Sequence, residues 1–371
     1  MKKIAHLTSA HPRYDTRIFF KECTSLAKYG YKVSLVVADG HGDEEKGLIT
    51  IYDVGTSSGR LDRMRNAPTR VLSKAIHLNA DVYHLHDPEL LPIGIKLKKL
   101  GKKVIFDAHE DVPKQILGKP YLNRPTKWLV SHTFAAYERF ACSRLDAVLA
   151  ATPFIRDKFN AMGIRSVDIN NFPLVDELAS GEIDWSKKKL QVCYVGGLER
   201  IRGIYEMVQA MCFVSSGARF GLGGTFSDAS FETLVKAEPG WENFNVEGWL
   251  DREGVLRLLS ESIAGLVTLH PVINYLDSLP VKMFEYMAVG LPVIASNFPL
   301  WKDIIEGNQC GLCVDPLDPK AIANAIDYFV THPAEAEQMG RNGQKAVHER
   351  YNWSVEEIKL LDFYALLLAH S

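Results

Sequence analysis

Asp277 and Glu285 are two acidic residues that stand eight positions apart in a mostly apolar segment. The spacing of the apolar residues predicts a helix that starts near residue 279, after Ser278 as its N-cap, and ends at Gly290. Glu285 then lies at the edge of the apolar face of this helix, where a carboxylate needs hydrogen-bond donors. The two hydroxyls of a ribose supply such donors, so the pattern favours a nucleotide-binding carboxylate.

The start of the same helix is a second candidate for binding chemistry. A helix N-terminus, here formed by Ser278, Leu279 and Pro280, favours a diphosphate because it offers backbone N–H groups and a positive dipole end. Lys282 adds a cation. In the alternative interpretation, Glu285 only forms an ion pair with Lys282, three residues away.

These residues need a scaffold, and short apolar strands alternate with helices in both halves of the chain. The predicted strands lie at 4–8, 32–38, 81–85, 103–106 and 147–151, and then at 190–195, 219–222, 244–246, 265–268, 292–295 and 311–314. The fold class is therefore α/β, with two Rossmann-like, doubly wound parallel sheets. We place the domains at 1–172 and 173–354, with a hinge in 171–189 that contains Pro173 and Gly181, and we expect that the last helix, 355–371, packs back on the first domain.

The paired acids belong to a longer motif. Asp277 is followed after seven residues by Glu285-Tyr286-Met287-Ala288-Val289-Gly290-Leu291-Pro292-Val293. This resembles the motif of the GT-B glycosyltransferases of retaining family 4, of the bacterial surface-polysaccharide type, in which the first acid is usually Glu. The resemblance implies an acceptor-binding first domain and a donor-binding second domain that face a cleft. It also implies that Glu285 holds the ribose of a nucleotide sugar and that Asp277 contacts the transferred sugar.

The resemblance further implies a diphosphate site at Gly196 and Gly197, where family members have Gly-Arg-Leu followed by Lys-Gly. Here Gly197 replaces that Arg, Arg202 stands at the Lys position, and Arg200 is nearby. Guanidinium groups suit phosphate oxygens, although exposed loop arginines are the alternative. The Asp-x-Asp pattern common in metal-dependent transferases is absent from the sequence, so we expect no cofactor and no metal, with Arg200, Arg202 and Lys282 meeting the leaving-group charge.

Other candidates follow predicted strands. Trp249 and Leu250 occupy a position that the family uses near the nucleotide base. His109 comes after the strand 103–106, at the end where open α/β sheets bind ligands, and the resemblance implies contact with the transferred sugar or the acceptor. The alternative is a histidine that caps a loop.

The acceptor side is expected in the first half. The loop after the first strand lacks the glycines that family members often have there, and we interpret it as an acceptor-recognising loop that offers His11, Arg13, Asp15 and Arg17. His84 and His86 are two apart on a strand and would face the same side. They could form a metal pair, but no further ligand is evident, so we expect a structural or acceptor-side role for His86.

Composition limits the class of protein. The 371 residues, 47% hydrophobic and 24% charged, are typical of a globular protein with two domains. Six scattered cysteines and the lack of a signal-peptide or membrane-spanning pattern favour a cytoplasmic protein. Residues 1–170 carry more basic than acidic residues and the remainder the reverse, which favours a phosphate-bearing acceptor or peripheral contact with the inner face of an anionic membrane over nucleic acid.

These observations predict a hexosyltransferase that moves a sugar from a nucleotide sugar to a lipid-linked glycan with retention of configuration. A UDP-sugar is the first candidate for the donor. Two alternatives stay open. A nucleotide-sugar epimerase would need the same ribose-binding glutamate, and a non-catalytic scaffold or binding subunit would explain the departures at Asp277 and Gly197.

Overall fold

The computed structural model describes residues 1–119, 122–175 and 184–369; Gly181 of the predicted hinge lies outside these ranges. The chain forms two compact α/β units. The first contains Met1–Asn171 together with the C-terminal segment that begins at Trp353, and the second contains Phe172–Asn352. Both are built on largely parallel sheets, which confirms the predicted fold class.

The first unit has an eight-stranded sheet in the order β3-β4-β2-β1-β5-β6-β7-β8. All neighbouring strands are parallel except β3 and β4, which are antiparallel. The strands are β1 (Lys3–Leu7), β2 (Lys32–Val37), β3 (Glu44–Lys46), β4 (Ile49–Asp53), β5 (Val82–Leu85), β6 (Lys103–Ala108), β7 (Ala147–Ala150) and β8 (Ser166–Asp168).

Three of these strands were not predicted. β3 consists of three charged residues, and β8 has only three residues. β4 follows a charged stretch and is only partly buried. β3 and β8 are the edges of the sheet and β4 is next to an edge. Such short or partly exposed strands lack the continuous apolar run by which a buried parallel strand is recognised.

Helices cover this sheet. They are Thr16–Cys23 (a π-helix), Thr24–Lys28, Arg60–Arg65, Ala67–Leu78, Pro88–Leu90 (a 3₁₀ turn), Leu91–Lys99, Val112–Leu117, Arg124–Cys142, Pro153–Ala161 and Trp353–Ala369. None of the helices in the described ranges is both long and apolar enough to cross a lipid bilayer.

The helix Trp353–Ala369 is joined to the rest of the first unit by buried hydrogen bonds. The Trp353 indole donates to the Ser25 hydroxyl at 3.0 Å, and the Glu356 carboxylate accepts from the backbone N–H of Asn170 at 2.8 Å. The Tyr364 hydroxyl lies 2.9 Å from Nδ1 of His84, on β5. The C-terminal segment is therefore a structural part of the first unit.

The second unit has six strands, all parallel, in the order β11-β10-β9-β12-β13-β14. They are β9 (Gln191–Val195), β10 (Arg219–Gly223), β11 (Phe244–Gly248), β12 (Ala264–Val267), β13 (Val293–Ser296) and β14 (Gly311–Val314). The α-helices are Ile204–Ala210, Ala229–Lys236, Arg252–Glu261, Val281–Ala288, Pro299–Ile305, Pro319–Thr331 and Pro333–Glu349, and the 3₁₀ turns are Trp185–Lys187, Arg200–Arg202 and Pro239–Asn243.

Both faces of the second sheet are buried. On β9, Cys193 packs into one apolar cluster with Phe284 and Trp301, whereas Tyr194 packs into the cluster on the opposite face. Alternate strand residues point to opposite faces, so a sheet covered on both sides needs apolar side chains at successive positions. Cys310 and Cys313, the one Cys-x-x-Cys pair, are free thiols on or beside β14.

Candidate functional site

The candidate donor site lies in the second unit, where the strand order changes direction. β10 and β11 lie on one side of β9, and β12, β13 and β14 lie on the other. The chain therefore extends the sheet from β9 first in one direction and then in the other. Open α/β sheets bind their ligands at such a switch point. The loops after β9 and β12 and the start of the helix Val281–Ala288 supply the predicted residues.

Two glycines after β9 allow cations to come close to the backbone. Gly196 has a φ of 140°, and a Cβ atom there would lie 2.6 Å from the Lys282 amine. At Gly197 a Cβ atom would lie 3.8 Å from Nε of Arg202. The structure thus brings Lys282 and Arg202 together around one short turn, as a site for a diphosphate requires.

The Lys282 amine is buried and has no hydrogen-bond partner among the described residues. It lies 3.8 Å from the centre of the Tyr194 ring. Burial, followed by the charge of Arg202, holds its pKa well below the ordinary value of lysine, although Glu285 opposes this. A buried, unpaired amine is unfavourable in the donor-free protein and would gain strongly from an anion.

Glu285 forms an ion pair with a residue that the sequence did not indicate. Its Oε1 accepts a hydrogen bond from Arg252 at 2.8 Å, so the alternative in which Glu285 pairs with Lys282 is not what the structure shows. Arg252 is 33 positions away, at the start of another helix, and no local pattern links the two. The side chain of Glu285 is 22% exposed, so a ribose hydroxyl can still approach its carboxylate.

The predicted start of this helix was wrong by two residues. The helix begins at Val281, and Pro280 is its N-cap, with no side-chain hydrogen bond. Ser278 is not the cap, because its hydroxyl donates to the carbonyl of Tyr275 at 2.9 Å. A residue before proline is disfavoured in the helical region, so Leu279 cannot begin the helix.

The loop before the helix is held in place by Trp301. The buried indole of Trp301 donates to the carbonyl of Ser278 at 2.8 Å, and Leu279 packs against the apolar core. Asp277, the first of the paired acids, is half-buried in this loop. One short, anchored segment therefore leads from Asp277 into the helix that carries Lys282 and Glu285.

The remaining donor-side candidates are more peripheral. Arg200 lines a surface cavity of 300 Å³ with Phe231, whose ring centre is 5.1 Å from the guanidinium carbon. Leu250 packs so closely over Gly223 that a Cβ atom there would lie 2.7 Å from it. Trp249 is 75% exposed, at the end of β11. Arg202 thus shares the turn with Lys282, whereas the structure shows no such convergence for Arg200.

In the first unit, Asp107 organises the candidate acceptor site. It lies on β6 and accepts two hydrogen bonds from the Arg17 guanidinium, at 2.8 and 2.9 Å. Its Oδ2 is 2.9 Å from Nε2 of His109 and 3.3 Å from Nδ1 of His86. Burial alone would raise the pKa of Asp107, but Arg17 and then His109 hold it well below its ordinary value.

An ionised Asp107 sets the orientation of His109. The carboxylate can only accept, so it favours the tautomer in which His109 donates through Nε2 and keeps a lone pair on Nδ1. The side chain of His109 is 20% exposed, and the His11 ring lies 4.8 Å away, centre to centre. His109 and His11 can therefore both contact a sugar hydroxyl.

The predicted acceptor loop is only partly available. Arg13 is buried and paired with Asp39 and Glu44, each at 2.8 Å, and Arg17 is 3% exposed and paired with Asp107. We expected both arginines to face an acceptor, and this is wrong because carboxylates inside the unit neutralise them. A charged residue near the end of a strand is an ambiguous signal, since it suits an exposed loop and a buried ion pair equally.

His11 and Asp15 remain close to the surface. Asp15 caps the π-helix by accepting from the backbone N–H groups of Arg17 and Ile18, each at 2.9 Å. His11 lies 3.5 Å from Asp15 and 3.4 Å from Asp87. Burial alone would lower the pKa of His11, but these two carboxylates outweigh it and raise the pKa.

His86 is fully buried and does not face an acceptor. Its Nε2 lies 2.9 Å from Nδ1 of His6, on β1, and its other ring nitrogen lies beside Asp107. Burial lowers the pKa of His86 to about 4, against the opposing effect of Asp107. The sequence did not indicate His6, Glu22 or Asp107, because their partners lie on other strands or on the π-helix.

Comparison with known families adds to this geometry. Residues 17–171 match the family model described as Glycosyltransferase Family 4, and residues 176–346 match the model described as Glycosyl transferases group 1. The two models divide the chain almost where the two structural units meet at Asn171.

Curated relatives are distant or partial. The chitobiosyldiphosphodolichol beta-mannosyltransferase of Kluyveromyces lactis is 22% identical over 94% of this chain and 86% of its own length. The enzyme of the same name from Candida glabrata is 30% identical, over 33% of this chain and 28% of its own length. A GDP-mannose-dependent alpha-(1-6)-phosphatidylinositol monomannoside mannosyltransferase of Mycobacterium tuberculosis is 30% identical over 24% of this chain and 23% of its length.

Solved structures share the fold. A sucrose-phosphate synthase from Thermosynechococcus elongatus matches with a TM-score of 0.78 at 20% identity, over 100% of both chains. The Anabaena protein HepE, solved in complex with UDP-glucose, matches with a TM-score of 0.74 at 13% identity, over 98% of this chain and 100% of that one. With a glycosyltransferase family model on each unit and two doubly wound sheets as the scaffold, the chain belongs to the glycosyltransferases of the GT-B fold.

Proposed function

We propose that this glycosyltransferase moves a hexose-type sugar from a nucleoside-diphosphate sugar, a UDP-sugar first, to a lipid-linked glycan in surface polysaccharide synthesis. The observation that carries the proposal is the buried Lys282 amine, which has no hydrogen-bond partner among the described residues and lies against the Gly196-Gly197 turn. An anion at this turn would satisfy the amine, and the diphosphate of a nucleotide sugar is an anion of suitable size.

Each candidate on the donor side then has a role. Lys282 and Arg202 neutralise the departing diphosphate, so we propose no divalent ion there. Glu285 accepts the ribose hydroxyls, for which it exchanges part of its contact with Arg252. Asp277 contacts the transferred sugar from the loop anchored by Trp301, and Trp249 and Leu250 lie near the base.

The acceptor is proposed to bind to the first unit. His109, oriented by Asp107, accepts a hydrogen bond from a sugar hydroxyl through Nδ1, with His11 beside it. The names of the Kluyveromyces and Mycobacterium relatives refer to glycolipid acceptors, which supports a lipid-linked glycan here as well.

The anomeric outcome is proposed as retention. The acceptor hydroxyl attacks from the leaving-group face and gives its proton to the diphosphate oxygen, so no side chain has to act as the sole base. The relatives include one named as a beta- and one named as an alpha-transferase, so the outcome has to be read from the product. The coupling constant of the anomeric proton in the NMR spectrum of the product decides it.

Replacement of Glu285 by alanine tests the donor site. We expect UDP or GDP, or one of their sugars, to raise the melting temperature of the wild-type protein. Loss of a charged acceptor of hydrogen bonds weakens binding by about 1.5–3 kcal/mol, so the variant should bind the nucleotide about 10–100-fold more weakly. Thermal shift titrations with a panel of UDP- and GDP-sugars measure this and identify the base.

The control for this experiment is Glu337→Ala. Glu337 is also paired with an arginine, Arg341 at 2.6 Å, but both residues lie on another helix, Pro333–Glu349. It should keep the nucleotide shift. A wild-type protein that responds to no nucleotide would contradict the donor site and favour the scaffold alternative, whereas production of an isomeric nucleotide sugar without an acceptor would favour the epimerase.

Membrane contact is proposed through the helix Arg124–Cys142. Trp128 and Leu129 are each 60% exposed, and Arg124 lies one helical turn from Trp128. An exposed tryptophan beside a basic residue suits the interface of an anionic lipid layer. Lys98 of the same unit is less suitable for this role, since it is paired with Asp146 at 2.8 Å.

A double substitution, Trp128→Ser with Leu129→Ser, should therefore reduce binding to vesicles that contain phosphatidylglycerol. Burial of two large apolar side chains contributes about 3 kcal/mol or more, so a loss of about 100-fold in partition is expected. Sedimentation at low salt measures it. The matched control is Ile358→Ser with Leu366→Ser, another exposed apolar pair on a helix of the same unit. An equal loss in both double variants, or no binding by the wild type, would exclude this surface.

A further inference from the structure

Four metal-ligating side chains meet inside the first unit at the carboxyl ends of β1 and β5. His6 on β1 is in register with His84 on β5, and His86 follows directly after β5. Glu22 reaches them from the π-helix. We name this group the histidine–glutamate cluster (His6, Glu22, His84 and His86). The proposed transfer reaction does not use it.

The ligand atoms are spaced for a single metal ion. Oε2 of Glu22 lies 3.8 Å from Nδ1 of His6, 3.9 Å from Nδ1 of His84 and 4.0 Å from Nε2 of His86. Nδ1 of His6 and Nε2 of His86 are 2.9 Å apart. Four ligands bound to Zn²⁺ at about 2.0–2.1 Å lie roughly 3.3–3.4 Å from one another in a tetrahedron. The observed separations fall on both sides of this value.

The cluster is buried, and its polar atoms are not satisfied. All four side chains are shielded from solvent. Both oxygens of Glu22 are among the buried polar atoms of the described residues that have no hydrogen bond. Nε2 of His6 and Nε2 of His84 are also among them, but they are the ring nitrogens that face away from the proposed ion, because Nδ1 of each histidine is its ligand atom. Glu22 forms an ion pair with Arg17 at 3.1 Å, but it shares this guanidinium with Asp107, which also pairs with Arg17. Buried carboxylates without hydrogen bonds are costly, and a bound cation removes this cost.

The surroundings are suited to a cation. Within the described part of this unit, five carboxylates are buried against three Lys and Arg cations, namely Glu22, Asp87, Asp107, Glu138 and Glu356 against Arg13, Arg17 and Lys21. Outside the cluster, Asp107 lies 3.3 Å from Nδ1 of His86, which leaves Nε2 of His86 for a metal. A carboxylate behind a ligating histidine is the usual support of a metal site.

We propose that the histidine–glutamate cluster binds one transition-metal ion of the Zn²⁺ class as a structural site of the first unit. Three imidazole nitrogens and one carboxylate oxygen suit Zn²⁺ and also Co²⁺ or Ni²⁺, and a closed, buried set of four ligands is typical of a structural ion. This departs from the expectation that no metal is bound: the sequence showed the pair His84 and His86, and the fold adds His6 and Glu22.

Tyr364 defines the rival explanation. Its hydroxyl lies 2.9 Å from Nδ1 of His84, so a metal held by that nitrogen takes the place of this hydrogen bond. Without a metal, the cluster would be a chain of hydrogen bonds that includes the contact between His6 and His86. In that case the unit is stable in its metal-free form, and no ion accompanies the protein.

Metal analysis of the full chain, purified without an affinity tag and passed over chelating resin, tests the proposal. We expect about one equivalent of a first-row transition metal per chain by mass spectrometry. Removal with 1,10-phenanthroline should lower the melting temperature, and Zn²⁺ should restore it. Co²⁺ in its place should give the visible absorption of a tetrahedral site. A metal-free protein whose melting temperature does not change with chelator or Zn²⁺ would overturn the proposal.

Variants assign the ion to these residues. Glu22→Gln and His84→Gln should lose the metal, whereas His77→Gln, which changes an exposed histidine of the same unit, should keep it. Tyr364→Phe removes only the competing hydroxyl and should retain the metal. It is the control for a substitution beside the cluster that leaves all four ligands in place. Metal retained at the same level in both ligand variants would place the ion elsewhere and refute this site.

Discussion

Replacement of Lys282 by methionine should produce a protein that is more stable than the wild type and almost inactive. Methionine fills the space of the aliphatic stem and removes a buried amine without a hydrogen-bond partner. A buried donor without a partner costs about 1–3 kcal/mol, and the methionine variant removes this cost. In a unit of this size each kcal/mol corresponds to about 2–4 °C in melting temperature, which calorimetry resolves.

Sugar transfer should fall in the same variant. The amine would face the diphosphate as its negative charge grows, and loss of one preorganised donor to a developing anion costs about 10²–10³-fold in turnover. Nucleotide binding should weaken as well. The comparison is Lys236→Met, which removes an exposed lysine paired with Glu232 on the helix Ala229–Lys236 and should change neither property.

The stability difference should depend on pH. The pKa of Lys282 lies well below its ordinary value in the folded protein, mainly because of burial. Between these two pKa values the unfolded chain binds the additional proton, so stability rises with pH, and the proton-linked part of the destabilisation by Lys282 disappears above about pH 10.5. The methionine variant lacks this contribution. Its advantage over the wild type should therefore shrink as the pH rises, and an advantage that grew with pH would show that the amine is not the cause.

The second large effect is expected at Arg17. This buried guanidinium donates to Asp107 twice and to the carbonyl of Ile169 at 2.7 Å, and it pairs with Glu22. Arg17→Met leaves two carboxylates buried without their cation, which should destabilise the first unit by about 3–5 kcal/mol. Arg17→Lys keeps the charge but not the planar fork, so it should be destabilising to a smaller extent.

Hydrogen exchange of peptides from β1 and β6 would report on this unit alone, because the two units need not unfold together. Arg139→Met, at an exposed position of the helix Arg124–Cys142, is the control and should change stability by less than about 0.5 kcal/mol. The double variant Arg17→Met with Asp107→Asn should be less damaged than the sum of the single variants. Strict additivity would mean that the two residues do not act as a pair.

The scaffold could largely be predicted from the sequence. The central strands are continuous apolar runs, because a parallel sheet that is covered on both faces needs apolar side chains at successive positions. β1, β5, β9 and β12 were therefore placed within one or two residues. The edge strand β3, made only of charged residues, carries no such signal.

The candidate site could be predicted only where its residues are neighbours in the chain. Asp277, Lys282 and Glu285 share one loop and helix, whereas the partner of Glu285, Arg252, is 33 positions away. Arg17 and Asp107 are 90 positions apart, and the burial of Arg17 follows from that pairing. A charged residue in a sequence is usually predicted to be exposed. Only the fold shows which residues of opposite charge are buried together.

The C-terminal helix has a consequence for how the chain is made. Trp353–Ala369 belongs to the first unit, yet every residue of the second unit is synthesised before it. While the ribosome translates Phe172–Asn352, the partners that this helix will contact, Ser25, His84 and Asn170, still lack it. We therefore expect the second unit to fold first as an independent body during synthesis, and the unit that begins the chain to be the last to reach its native state.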